Sequence, residues 1–309
     1  MSDPLVSIIL RSYNEGWALQ DTLPALRAQE YRHWELIVID SGSTDGSVDL
    51  LRAAAPRHFV QLPASDYNPS RVLNRGVELA RAELAICLNA DATPQGRHWL
   101  RPLVEALFDP GVAAVFGRQI PRPECQAVYA ADYERCFGPC RASARWEHFF
   151  SMVSSGLRKD VWALRGFDPR LQYSEDDEYT RWCRQRGYAV RYVPESVVMH
   201  SHNYTPAQAY RRSYGEGKAL AAVWRGRRTA FNWPRTVLLG WLRDCARDLR
   251  YCARTGRGRE WFQAAAIRWR QRHGRLAGFR AGWACYRAAH LSDDHPANPG
   301  RLTASTRPP

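Results

Sequence analysis

Four consecutive carboxylates, Glu175, Asp176, Asp177 and Glu178, stand in the stretch SEDDEYTRW at residues 174–182. They interrupt a chain that carries 44 basic residues against 31 acidic ones. A carboxylate fixed in a crevice can serve as a general base, taking a proton from an attacking group. The same residues also suit the start of a helix. Ser174 reads as its N-cap, and the four acids fill a first turn where the positive end of the helix dipole favours them. Tyr179, Trp182 and Cys183 then supply the apolar stripe of that helix. The two readings are compatible, because a helix N-terminus holds a carboxylate ionised and in place, as a base must be.

The elements that must position such groups follow from the periodicity. Residues 6–14 (VSIILRSYN) read as a short apolar strand ending in polar residues, as a buried parallel strand does at its carboxyl end. A helix follows over 18–29, a second strand runs through 34–47 into a Gly/Ser/Asp turn, and a helix covers 47–55. A helix over 70–82 precedes a third strand, 83–94, that ends in acids. A helix over 98–108 and a fourth strand over 112–120 complete the pattern. Strands alternating with helices predict an α/β fold with a mostly parallel sheet. Ligands bind such sheets beyond the carboxyl ends of the strands, here Ser12–Tyr13–Asn14, Asp40–Ser41–Gly42 and Asn89–Ala90–Asp91. No GxGxxG follows the first strand and no GxxxxGK[ST] occurs, so neither a dinucleotide fingerprint nor a P-loop is supported. A nucleotide bound here needs another counter-charge, and a divalent metal held by carboxylates is the usual one.

At 309 residues the chain suffices for one large domain, or a domain with an appendage. A hydrophobic fraction of 45% is ordinary for a globular protein. The amino terminus lacks the basic and apolar regions of a signal peptide, and no apolar run is long enough to span a membrane. The eight cysteines show no paired metal spacing; Cys136 and Cys140 form a lone C-x3-C, and reduced thiols are expected.

With these residues laid out, the chain resembles the family 2 glycosyltransferases, which have the GT-A fold. The match is carried by VSIILRSYNE, WELIVIDSGSTDGS, LNRGVELARAELAICLNADA and SEDDEY, in that order, across about residues 5–205. GRQIPRP (117–123), SMVSSGLRKDVW (151–162) and VVMHSHNYTPAQAYRRSYGEG (197–217) make it most similar to the bacterial rhamnosyltransferase-type branch. The resemblance implies nucleotide-sugar binding by Ser12, Tyr13, Asn14, Glu15, Asp40, Arg71, Asn74, Asn89, Ala90 and Asp91. Within that set Asp40 and Tyr13 match contacts to base and ribose; Arg71 and Asn74 belong to an R-x-x-N-x-G turn near the nucleoside that Gly76 completes. A plain helix start is the other reading of Asn74 and Gly76. In the family, the acidic motif after the third strand holds a divalent cation on the donor diphosphate. Here its first acid is replaced by Asn89, so Asp91 alone carries over and a further ligand is needed. His200 is the first choice and His202 the second; at i, i+2 they share one face of an extended segment. Mg²⁺ or Mn²⁺ is the expected ion, a nitrogen ligand tilting the choice slightly to Mn²⁺. Glu175 and Asp176 match the catalytic acidic pair, with Asp176 as the base of an inverting transfer. Gln119, Ser155, Arg158 and Asp177 are expected on the acceptor side.

The net charge of +13 is unevenly placed. Residues 206–290 hold 18 Arg and one Lys against four acids, a net of +15, which leaves −2 for the rest. This segment also carries Trp224, Trp233, Trp241, Trp261, Trp269 and Trp283. In VLLGWLRDCARDLRYC (237–252), Leu238, Trp241, Leu242, Cys245, Leu249 and Cys252 fall on one helical side, with Arg243, Arg247 and Arg250 elsewhere. A basic amphipathic helix with boundary Trp suits an anionic membrane surface; a helix packed on the catalytic domain with a solvated Arg face is the other reading. Nucleic acid is not expected as a partner, since no nucleic-acid motif occurs. The expected organisation is therefore a GT-A catalytic domain at 1–205, a membrane-associating helical segment at 206–290 and a disordered tail at 291–309.

The function expected is an inverting, metal-dependent transfer of a deoxyhexose such as L-rhamnose from a nucleotide-sugar donor. The acceptor is a lipid-linked saccharide in polysaccharide assembly, at the cytoplasmic face of the membrane. A hexosyl or N-acetylhexosaminyl donor is the alternative within the class, and a non-catalytic sugar-nucleotide-binding scaffold the alternative outside it.

Overall fold

The apolar run at Val6 forms β1 (Val6–Ser12), whose Ile8, Ile9 and Leu10 have no exposed surface because both faces of the strand are covered. The computed structural model describes residues 3–146, 148–223 and 232–291. In chain order there follow α1 (Gly16–Arg27), β2 (Trp34–Asp40), α2 (Ser47–Ala53), β3 (His58–Gln61), α3 (Pro69–Leu79), β4 (Leu84–Asn89) and β5 (Thr93–Pro94). Next come α4 (Leu100–Ala106), β6 (Val112–Ile120), α5 (Ala127–Phe137), β7 (Ser154–Arg158), α6 (Lys159–Ala163), α7 (Glu175–Gln185) and β8 (Ala189–Met199). The described chain ends in α8 (Pro206–Val223), α9 (Gly240–Arg254) and α10 (Trp261–Leu291).

The eight strands form one sheet in the order β3-β2-β1-β4-β7-β6-β8-β5. β7 runs antiparallel between β4 and β6, β5 runs antiparallel to β8, and the other pairings are parallel. The carboxyl ends of β1, β2, β4, β6 and β8 therefore share one edge with the start of β7. Register puts Ser12 beside Asp40 and Arg11 beside Asn89 on that edge. α3 lies on the sheet at Gly76, where a Cβ would stand 2.5 Å from Ile9 Cγ2. Its start is capped by Asn68, whose side chain accepts from the Arg71 amide at 2.9 Å.

Beyond the four strands read from periodicity, the sheet gains β3, β5, β7 and β8. The strand expected over 83–94 stops at Asn89, and Thr93–Pro94 leaves to pair with Met199 and Val198 of β8. β3 is only four residues long, and β7 (SSGLR) has no apolar period, since a strand covered on both faces needs none.

The basic segment beyond residue 206 packs on the catalytic sheet through α5. Ala209, Ala264 and Ile267 are buried against Cys125, Val128 and Tyr129. Arg268 of α10, 4% exposed, bridges Asp132 of α5 at 2.7 Å and Asp248 of α9 at 2.7 Å and also donates to the Val128 carbonyl. α10 meets α8 along a glycine stripe. A Cβ at Gly274, Gly278 or Gly282 would run into the backbone carbonyl of Tyr210, Tyr214 or Lys218 respectively. The helical side expected to be apolar is divided: Cys245 and Cys252 are buried with Asp244 and Asp248, while Leu238, Leu242 and Leu249 are exposed. Trp233 is exposed and the other described Trp residues of the segment are half-buried. The Trp241 indole donates to the Ala265 carbonyl, that of Trp261 to the Cys245 carbonyl, and Trp269 packs edge-on against Trp241. Trp224 and the tail after Leu291 lie outside the described residues.

Candidate active site

The loops that follow β1 and β2 are stapled together. Asn14 adopts a left-handed φ of 54°, its amide donates to Ser43 Oγ, and its Oδ1 accepts from the Thr44 amide. The next two amides continue the seam, Glu15 donating to Ser47 Oγ and Gly16 to Asp45 Oδ2. Asp40, expected against base or ribose, has no exposed surface. Its carboxylate accepts from the Gly42 and Ser43 amides and the Ser43 hydroxyl, so it shapes the loop from behind. The space in front is a cavity of about 360 Å³ lined by Arg11, Ser12, Tyr13, Glu15, Ser41 and Tyr67, among others. Tyr13 and Tyr67 both present exposed rings there.

Asp91 stands just beyond β4 and is 1% exposed, yet neither carboxylate oxygen has a hydrogen-bond partner. Its Oδ2 lies 3.4 Å from His200 Nε2 and 3.2 Å from His202 Nε2. One donor atom from each of the three residues falls within 4.8 Å of the others. The His200 ring is oriented from behind: its Nδ1 is 2.9 Å from Gln119 Oε1 and 3.0 Å from the Tyr133 hydroxyl, which turns Nε2 to Asp91. Burial holds the His202 imidazole down to about 4, which favours the neutral form a metal ligand needs. Burial and the Asp91 charge push Glu15 up to about 8, and its Oε2 is also buried without a partner. A buried carboxylate left unbonded is costly. One carboxylate oxygen and two imidazole nitrogens converging there fit a borderline divalent ion such as Mn²⁺. Both histidines weighed from the sequence thus reach Asp91.

The acidic run opens α7 in an unexpected way. Ser174 has a left-handed φ of 59°, and its hydroxyl makes no capping bond. It enters the helix through its carbonyl, which accepts from the Glu178 amide, while Asp176 Oδ1 takes the Asp177 amide. The four acids then part. Glu178 turns out to Arg165 at 2.7 Å, and the other three line a crevice of about 780 Å³. Burial, then the Asp176 charge, pushes Glu175 up to about 7. Burial likewise raises Asp176, opposed by the Asp177 and Met152 amides and by Arg11, and raises Asp177 well above the usual range. Of the three non-glycine residues with positive φ among the described residues, Asn14 and Ser174 flank this site, as backbone strain at functional sites does.

Arg11 was not anticipated. Its guanidinium donates to Asn89 Oδ1 at 2.6 Å, and it lines both the smaller cavity and the crevice, as Asn89 does. The only signal for it was a lone charge near the end of a buried strand. Other anticipated residues serve the scaffold. Asn74 accepts from the Phe167 amide and Trp162 Nε1 and donates to the Phe167 carbonyl, fixing the loop that leads to α7. Arg71 is exposed on α3, and neither residue lines either cavity. Ala90 is buried, its amide donating to the Arg11 carbonyl. Gln119 sits behind His200, and Ser155 is buried with its hydroxyl on Met152. Arg158, expected on the acceptor side, lies at the opposite end of β7, beside Leu84 at the start of β4, and pairs with Asp160. Antiparallel β7 carries it away from the crevice.

The sequence model of the family described as Glycosyl transferase family 2 matches residues 7–163. The O-antigen chain rhamnosyltransferase RfbN of Salmonella typhimurium is 31% identical over 223 residues, 69% of this chain and 71% of that protein. Among solved structures, a mannosyltransferase from Pyrobaculum calidifontis, in complex with GDP-Man and Mn²⁺, superposes with a TM-score of 0.58 at 21% identity, covering 86% of this chain and 87% of its own. TarS from S. aureus in complex with UDP-GlcNAc superposes with a TM-score of 0.52 at 13% identity, covering 92% of both chains. The fold is GT-A.

Proposed function

The chain belongs to glycosyl transferase family 2, and we propose that this glycosyltransferase moves a deoxyhexose, L-rhamnose first, from a nucleotide donor to a lipid-linked saccharide with inversion. One observation carries the reading: Arg11 and Asn89 line both the cavity walled by Tyr13 and Tyr67 and the crevice walled by Asp176. A nucleoside between the two tyrosine rings therefore places its diphosphate at Arg11 and its sugar in reach of the acids. The Asp176 carboxylate accepts the proton of the acceptor hydroxyl. That oxygen forms a bond to the anomeric carbon as the bond to the diphosphate breaks, and the nucleoside diphosphate leaves with the electron pair. Asp91, His200 and His202 would hold the divalent ion, which supplies positive charge beside the departing phosphate. Arg11 adds a fixed cation on the same side, which suits a motif whose first acid is replaced by Asn89. The rhamnose assignment follows the O-antigen relative.

A membrane surface is the proposed place of work. No described helix is long and apolar enough to cross a membrane. Leu238, Leu239, Leu242, Leu249 and Phe262 nevertheless stand exposed around the start of α9 and α10, with Arg235, Arg243 and Arg259 exposed among them. Apolar side chains ringed by arginine suit an anionic interface. Release of nucleoside diphosphate from a panel of dTDP-, UDP- and GDP-sugars, with and without Mn²⁺, tests the reading. Cation-dependent turnover of dTDP-rhamnose is expected. Turnover of another sugar alone would move the assignment to a hexosyl or N-acetylhexosaminyl donor. Binding without turnover of any donor would favour the non-catalytic scaffold, for which Asn89 in place of an acid is the one supporting feature.

A further inference from the structure

A further cavity, of about 790 Å³, opens beside the site where the end of β6, α5 and α9 meet. Five arginines line it, Arg118, Arg135, Arg247, Arg250 and Arg254, against one acid, Glu134. Glu134 is already paired with Arg254, and Arg247 with Asp244. Among the described residues Arg118, Arg135 and Arg250 have no acid partner. Arg135 lies over the Trp146 ring at 4.5 Å, and burial together with the nearby Arg247 charge holds its pKa down. Three guanidinium groups around one space, none paired with an acid among the described residues, repel one another and attract an anion.

The location says which anion. Tyr133, Arg135 and Arg247 also line an adjoining cavity of about 390 Å³ that reaches His200 and His202. That cavity shares Trp146, Arg212 and Glu216 with the crevice of Asp176. The three cavities thus adjoin through shared walls, from the base, past Trp146, to the arginines. Leu249, the neighbour of Arg250 on α9, is exposed at its far end. Guanidinium groups bind phosphate through paired N–H bonds, and several together suit more than one phosphate. We infer that this arginine chamber seats the diphosphate that joins the acceptor saccharide to its lipid. The inference rests on the glycosyl-transfer reading of the crevice, and it fixes where the acceptor's charged end lies.

Calorimetry in excess EDTA tests it without turnover, with geranyl diphosphate and uncharged geraniol as probes for the wild type and Arg118→Gln/Arg250→Gln. Neither arginine holds an ion pair among the described residues, so the variant should fold. The wild type is expected to bind the diphosphate and not the alcohol, and the double variant about tenfold or more weakly. Equal binding by the two proteins overturns the proposal, as does displacement of the probe by dTDP, which would place it in the donor cavity. Vesicles of phosphatidylglycerol separate a bilayer headgroup from a soluble diphosphate. A smaller loss of sedimentation than of geranyl diphosphate binding is expected, since the surface arginines and leucines remain; loss of vesicle binding with geranyl diphosphate binding intact overturns the proposal. If the double variant loses its melting transition, the exposed Arg250→Gln alone must still weaken the diphosphate, and no change overturns it. Should no donor turn over, the glycosyl-transfer reading fails while these binding results still decide the chamber.

Discussion

At the scale of single residues, the base and the cation ligands make separable predictions. Asp176→Asn keeps size and polarity but cannot take a proton, so kcat should fall about 10²–10⁴-fold with donor affinity nearly unchanged. A variant keeping more than about a tenth of wild-type turnover would remove Asp176 from the role. Asp177→Asn should be milder; the reverse ranking moves the base by one residue. Burial raises the Asp176 pKa in the folded state, and a base works only when ionised. Turnover should therefore decline, as pH falls, above the ordinary carboxylate range. Stability has the opposite sign. A raised folded pKa means that the wild type loses stability as pH rises from the unfolded value through the folded one. The melting temperature of Asp176→Asn should gain most on wild type at about pH 8, and least at about pH 4. The second prediction concerns Asp91, His200 and His202. Alanine at any of them should weaken cation-dependent donor binding, read by titrating Mn²⁺ against nucleotide fluorescence. Asp91→Ala should be the most severe, since it removes the only anion of the set. Full donor binding in EDTA would take the ion out of the site.

At the scale of elements, Arg268 ties α10 to α5 and α9 and is the point where the basic segment depends on the catalytic sheet. Asp248, its partner on α9, is 1% exposed by side chain. Removing one member of a buried ion pair typically costs about 3–5 kcal/mol, because the other charge is left without compensation. Arg268→Met should lose about that much in urea denaturation. Arg268→Met/Asp248→Leu should recover part of it, since the stranded charge goes too. If the single change costs under about 1 kcal/mol, the three helices do not rely on this contact. The result also bears on organisation: a unit that melts in one transition with α10 docked differs from a catalytic domain carrying an independent appendage.

At the scale of the whole molecule, the charge imbalance and the exposed leucines ask the same question. The attraction of an anionic surface is about 1 kcal/mol for each nearby Lys or Arg and is screened by salt. Insertion of Leu242, Leu249 and Phe262 adds a part that salt leaves in place. The protein should sediment with vesicles containing anionic lipid and leave purely zwitterionic ones. Leu242→Glu/Leu249→Glu should abolish the salt-resistant part without shifting the melting temperature by more than a few degrees, because both side chains are solvent-exposed. Equal binding to both vesicle types would mean that charge does not drive the association.

The resemblance to the family supplied His200 and His202 as ligands and Asp176 as the base; the sequence by itself determined the alternation of strands and helices and the edge where their polar ends converge, Asp91 among them. Those are local properties: periodicity sets the element, and the carboxyl end of a buried strand must present its polar residues to the crevice. It did not determine which residues face which way. Asp40 and Asn74 have the right types at the right spacing, yet Asp40 is taken up by Gly42 and Ser43 just after it in its own loop, and Asn74 by Trp162 and Phe167 from far along the chain. Arg158 is removed by the antiparallel run of β7, a pairing between residues some 74 positions apart that no short pattern carries. Arg11 enters the site only because β1 pairs with β4 and sets it beside Asn89. In α9 the heptad-like leucines promised a buried or membrane face, but the packed side was decided by Asp244 and Asp248, whose charges are tolerable inside only where Arg272 and Arg268 of α10 meet them. Tertiary structure decided these because desolvation, ion pairing and close approach are properties of pairs, and a sequence shows only one member at a time.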